Sequence, residues 1–258
     1  MLTFNSFELM QLISNFFWPM VRILSFLSVL PIFNNTIFNK KNKIILSGII
    51  SWLISPFLPE VHIILFSFMG LLLFFQQILI GVVLGFIAQF IFITIDLAGE
   101  FISLQMGLSF ATIFNSHIHI GNSIISRLLN ILTLFIFLAC NTHLHLISIL
   151  IDSFYSMPID TYVLNANIFF ILLKFSSYFF VNGIILILPI VIILLVLSCM
   201  MSILNRLSPQ ISIFSIGLPL NLFFGIFILY FLIPNILPFL ENLIHETIVF
   251  INYNFIQL

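Results

Sequence analysis

Asp96 and Glu100 stand four residues apart in the stretch "DLAGEFISLQMGLSF". On a helix that spacing puts both acids on one face, where like charges repel. Carboxylates so placed in apolar surroundings could bind a proton or a cation, as they do in membrane transporters. Alternatively, Gly99 ends or bends the helix here, and the two acids face water or reach Arg127. Arg22 lies inside another apolar run, where an ionised side chain costs about 2.5–3.5 kcal/mol on insertion scales. Three readings are open: it snorkels to the interface, it sits in a buried pair that fixes helix packing, or it is a wall charge in a pore.

Other reactive residue types point to no chemistry. His117 with His119, and His143 with His145, are spaced two apart, which on a helix sends them to different faces, and no cysteine or carboxylate follows at ligand spacing. The chain is read as binding no metal and needing no cofactor. Cys140 and Cys199 sit in apolar runs, where cysteine behaves as a small hydrophobe. There is no nucleophile elbow, phosphate-binding glycine loop or Ser/His/Asp arrangement, so the chain does not read as an enzyme.

The elements that position these residues are set by composition. Of 258 residues 62% are hydrophobic and only 6% charged, with 7 basic and 8 acidic side chains. Mean hydropathy is +1.31. Soluble surfaces need about a quarter of residues charged, so this is an integral membrane protein in contact with lipid. A formal net charge of -1 and the lack of a dense basic patch exclude nucleic acid as a partner. The amino terminus has no basic residue ahead of its apolar stretch and no small-residue cleavage pattern, which argues against a removable signal peptide.

A spanning helix needs about 20 mostly apolar residues, and six stretches qualify or nearly so. They run from about Leu9 to Phe33, Ile44 to Pro59, Ile63 to Ile95, Leu128 to Ile151, Phe175 to Leu204 and Leu218 to Leu240. Lys40, Lys41, Lys43, Arg127 and Arg206 fall on one set of loops and Lys174 on the other. Simple threading with basic loops inside therefore puts both termini outside the cytoplasm. The short second stretch and the over-long third fit that threading poorly, and hairpins packed into a larger assembly are expected instead. Gly81 and Gly85 let a neighbouring helix approach closely, which reads as an assembly signal. No repeat or linker divides the chain, and residues 1–258 read as one membrane-embedded, all-α domain. The tail from Glu241 reads as an interfacial or frayed amphipathic end.

Two further blocks carry polar residues among apolar ones. Gln105, Met106 and Gly107 lead into Leu108, Ser109, Phe110, Ala111, Thr112, Ile113 and Phe114. A soft loop of methionine and aromatic residues suits a plug that yields to varied cargo, and equally a loop packed on neighbouring helices. In "NRLSPQISIFSIGLPL", Pro209 and Pro219 break or kink helices, Gly217 loosens the chain, and Arg206 and Gln210 offer donors to unpaired carbonyls. Irregular helix ends lining a polar space follow from that chemistry.

This second block, from Asn205 and Arg206 through Pro209, Gln210, Phe214, Gly217 and Pro219 to Leu220, resembles the signature of the FliR family of type III secretion export apparatus. The stretch from Asp96 through Gly99, Glu100, Gln105, Met106, Gly107 and Phe110 to Ala111 resembles a second family block, and Asn141-Thr142-His143-Leu144 a third. Two positions depart from the pattern. Asn115-Ser116 stand where the family commonly has Asp-Pro, and Thr142 stands where it commonly has Gly, which argues against a tight turn after Asn141.

The resemblance implies a non-enzymatic, channel-forming subunit of the export gate in the inner membrane, at the flagellar basal body. Its partners would be FliP and FliQ together with FlhB, and unfolded flagellar subunits would be the cargo. Some of its hairpins would stack into a hetero-oligomeric assembly. Met106 to Phe114 would be the segment closing the pore. Arg22, Asp96, Gly99, Glu100, Gln105 and the block Asn205 to Pro219 would serve assembly or the pore wall. The rival reading is a cation-coupled secondary transporter using Asp96, Glu100 and Arg22.

Overall fold

A computed structural model describes residues 6–34, 39–59, 67–108, 123–159, 167–207 and 216–253. Among them every regular element is helical and none is a strand. In chain order the α-helices are α1 (Ser6–Val29), α2 (Pro31–Asn34), α3 (Lys40–Ile54), α4 (Phe68–Met106), α5 (Ile124–Ala139), α6 (Thr142–Ser156), α7 (Asn167–Leu207) and α8 (Leu218–Ile251), and a 3-10 turn, Ser55–Phe57, follows α3. The protein is an all-α integral membrane protein.

Within the described residues all six apolar stretches are largely helical, but they do not thread as six spans. Four helices are long and apolar enough to cross a membrane: Met10–Val29, Phe68–Met106, Leu172–Leu207 and Leu218–Ile251. The second stretch fails because α3 has 15 residues, about 22 Å at 1.5 Å per residue, against a hydrocarbon core of about 30 Å. The fourth is broken: α5 and α6 meet at a 67° bend. Asn141 makes that turn in the left-handed conformation, at φ 52°. The turn therefore forms despite Thr142, because asparagine tolerates this region better than most side chains.

The third stretch does not stop at Ile95. Helix α4 continues through Asp96, Gly99 and Glu100 to Met106, 39 residues in all, so Gly99 does not end it. Pro219 is likewise no breaker. It is the second residue of α8, where the first N–H groups lack intrahelical partners and proline loses nothing. Of the tail, residues 241–251 are no separate element either, since α8 continues through Glu241 to Ile251.

Contacts group the chain into two compact units. The first comprises residues 1–90, 141–176 and 245–258. In it α1 and α3 pack together, joined by the Ser51 hydroxyl, which donates to the Phe16 carbonyl over 2.8 Å. Gly81 and Gly85 bring α4 against α1: a Cβ on Gly81 would stand 2.4 Å from the Arg22 carbonyl oxygen, and one on Gly85 2.8 Å from the Val29 Cβ. The Gly-x-x-x-Gly motif thus serves packing inside this chain. Phe175 and Phe250 stack with ring centroids 3.6 Å apart.

The second unit comprises residues 91–140 and 177–244. Its core holds Phe92 against Phe137, Ile95, Ala98 and Ile102 of α4, and Ile190 and Leu194 of α7. Gly183 lies against Thr94, whose hydroxyl donates to the Phe179 carbonyl.

Candidate functional site

Three arrangements bring polar or special residues together. The first is a seam between α4 and α5 in the second unit. Ser123 caps α5: its hydroxyl oxygen accepts the Ser126 N–H at 3.1 Å and its own hydroxyl reaches the Gly99 carbonyl. The Ser123 N–H, one of the donors a helix start leaves unpaired, goes to Glu100 Oε1 at 2.7 Å. One turn earlier on α4, Asp96 Oδ1 accepts from the Ser126 hydroxyl and from Asn130 Nδ2. Gly99 lies between these two acids, and a Cβ there would stand 2.3 Å from Ser126 Cα. The acids thus find donors on α5, which is why the helix can run on past them. Carboxylates beside a helix N-terminus also meet the positive end of its dipole.

The second arrangement surrounds Arg22 in the first unit. The side chain is fully buried, and all its described partners are neutral. Nε donates to Gln77 Oε1 at 2.7 Å, one amino group to the Ser153 carbonyl at 2.8 Å, and the other to the Met157 carbonyl at 2.9 Å. The guanidinium also lies 4.2 Å from the centre of the Phe154 ring. Ser153 is in the last turn of α6 and Met157 is its C-cap. Arg22 therefore caps α6 from another helix, with the negative end of the helix dipole and an aromatic face balancing its charge.

The third arrangement is the end of α4. Met106 is buried, and Gly225 makes room for it: a Cβ there would meet the Met106 side chain at 2.5 Å. Gly107 leaves the helix with φ 80°, a conformation glycine adopts freely. Met106 and Gly107, with Leu218, Pro219, Leu222, Phe223, Ile226 and Phe227 of α8, line an apolar groove of about 640 Å³.

The sequence-predicted residues are distributed over these places. Asp96, Gly99 and Glu100 meet in the seam, and Arg22 lies in the hub at the end of α6. Met106 and Gly107 are at the groove, followed by Leu108; Gln105 is half-buried. Ser109, Phe110, Ala111, Thr112, Ile113 and Phe114 lie outside the described residues, as do Pro209, Gln210 and Phe214. Asn205 is half-buried and Arg206 exposed in the last turn of α7, where a cation suits the helix dipole. Gly217 is buried just ahead of α8. Among the described residues, no group of three His, Cys, Asp or Glu could hold a metal ion.

Comparison with known proteins decides the family. The model of bacterial export proteins, family 1, matches residues 13–247. The flagellar biosynthetic protein FliR of Buchnera aphidicola subsp. Acyrthosiphon pisum is 66% identical over the full length of both chains. FliR of Escherichia coli K12 is 43% identical over 95% of this chain and 94% of its own. FliR of Pectobacterium carotovorum is 44% identical over 96% and 95%. The chain belongs to the FliR family of bacterial export proteins. It is a component of the flagellar export apparatus, and its long apolar helices make it a multi-pass membrane protein.

For this FliR-family chain, several residues of the three arrangements carry weaker sequence signals. Gln77 belongs to a Gln-Gln pair inside "LLLFFQQILIG", where a polar pair in an apolar run is a partner signal for a buried charge. Ser123, Ser126 and Asn130 repeat at three and four, one face of a helix. Ser153, Phe154 and Met157 give no such signal, since carbonyls and an aromatic face recruit Arg22 there.

Proposed function

We propose that the chain is a structural and channel-forming subunit of the flagellar type III export gate. In this reading it assembles with FliP and FliQ, and with FlhB, in the inner membrane at the flagellar basal body, and unfolded flagellar subunits pass through the channel they line. The whole chain acts as one export-gate domain. Its mechanism is steric: the segment Met106 to Phe114 obstructs the passage, and its displacement opens it.

The observation that carries this reading is the end of α4. Helix α4 delivers Met106 and the left-handed Gly107 to an apolar groove, and the soft stretch Leu108 to Phe114 follows in sequence. Methionine and phenylalanine adapt to varied apolar partners without fixed hydrogen bonds, which suits a closure that must yield to many cargo sequences. Assembly with other membrane proteins is supported by α7 and α8. Only 22% and 17% of their most apolar windows are buried within the chain, against 61% for α4. Neutral partners account for Arg22, and donors on α5 account for Asp96 and Glu100, so these residues read as architecture before they read as an ion path.

The test is complementation. In a strain lacking its own family member, the chain should restore secretion of flagellar subunits and co-purify with FliP and FliQ. Restored secretion without any recovered complex would contradict the assembly, and a recovered complex that never secretes would contradict the export role.

A further inference from the structure

The α4–α5 seam has a placement that its hydrogen bonds alone do not explain. Residues 107 to 122 leave at the end of α4 and rejoin at Ser123, and Ser123 is the very residue whose N–H the Glu100 carboxylate holds. Asp96, one turn back, holds Ser126 and Asn130 in the first two turns of α5. Gly99 between them admits Ser126 to backbone contact. We propose that Asp96, Gly99 and Glu100 form a hydrogen-bond clamp that fixes the two ends of the segment 107–122 relative to each other, acting as acceptors and not as ion-coupling charges.

Substitution by the amides separates the two roles. The bonds at these carboxylates include a backbone N–H donated to Glu100, and a hydroxyl and an amide N–H donated to Asp96. An amide oxygen can do the same at the same place. A site that takes up a proton, or couples to a cation through its charge, needs the carboxylate itself, which an amide does not replace. The clamp itself consists of Asp96, Gly99 and Glu100 against Ser123, Ser126 and Asn130. That it also governs export rests on the plug reading above.

The experiment uses the assembled export-gate complex in detergent, with Cys140 and Cys199 replaced by alanine and a reporter cysteine at Ile125, which is buried in the first turn of α5. Maleimide labelling of Ile125→Cys then reads opening of the seam, and secretion is read in cells. The double amide variant Asp96→Asn/Glu100→Gln is expected to label as slowly as the native seam and to secrete within about two-fold of it. Asp96→Ala/Glu100→Ala, and separately Gly99→Ala, are expected to label at least about tenfold faster. If either fails to assemble, Glu100→Ala alone frees one amide N–H and carries the same expectation. An amide variant that assembles and stays closed but loses secretion would overturn the proposal in favour of ion coupling. Alanine variants that label as slowly as the native seam would overturn it as a clamp. Faster labelling with unchanged secretion would instead uphold the clamp and count against the plug reading.

Discussion

Arg22 shows how one residue can be prominent in a sequence while its role is not. A lone cation in an apolar run is visible at once, yet its partners Gln77 and Ser153 lie 55 and 131 residues away, and two of its acceptors are carbonyls that every residue possesses. Sequence spacing carries no information about such bonds. Arg22→Ala would leave Gln77 and the last carbonyls of α6 without their donors, and an unpaired buried polar group costs about 1–3 kcal/mol. We expect this variant to lower the stability of the solubilised chain by about 3 kcal/mol, measured by thermal unfolding in detergent. Arg22→Lys should fall between it and the native protein, because a single ammonium cannot span Gln77, Ser153 and Met157 as the planar fork does. A variant Arg22→Ala as stable as the native chain would show that the capping contributes nothing.

Glycines make the same point at the scale of elements, where the close approaches are set by backbone contact. Gly81→Ala would drive a methyl group to 2.4 Å from the Arg22 carbonyl oxygen, and overpacking of this kind costs about 1–3 kcal/mol. Gly48→Ala meets only Phe16 Cζ at 3.9 Å and gains helix propensity of about 1 kcal/mol. The first should destabilise and the second should not, in the same unfolding measurement. At the bend between α5 and α6, Asn141→Gly should be tolerated, whereas Asn141→Val forces a β-branched side chain to φ 52° and should cost about 2 kcal/mol or more. Equal stabilities for these two variants would contradict the left-handed turn. That apolar helices stand where α1, α4, α7 and α8 do was legible as hydropathy, although not the full length of α4 and α8. The break at Asn141 was not, because apolar residues continue on both sides of it. Nor was the continuation of α4 past Ile95, because the donors that satisfy Asp96 and Glu100 are on α5.

At the scale of the whole molecule, the helices that a membrane would receive are unlike one another. Helix α4 spans about 58 Å at 1.5 Å per residue, roughly twice the hydrocarbon thickness, and is largely covered by its own chain, while α7 and α8 leave broad apolar faces to be covered by lipid or by other helices. Exposed Phe223, Phe227, Tyr230 and Phe231 on α8 belong to such a face. Composition revealed the membrane and the motif blocks revealed the family, but which apolar surface meets lipid and which meets protein is not written in hydropathy, since both environments accept the same side chains. Under the proposed assembly, the chain produced alone should give less monodisperse protein in mild detergent than the chain produced with FliP and FliQ, as judged by size-exclusion chromatography. The steric role of the segment after Met106 is most directly open to an electrical test. Ion conductance, or leakage of a small solute, would be compared across membranes of cells carrying the complete export gate with the native chain and with one lacking Ser109 to Ile113. A leak confined to the deletion, in a complex that still assembles, is the result expected of a plugged channel; an assembled complex that stays tight without those residues would contradict it.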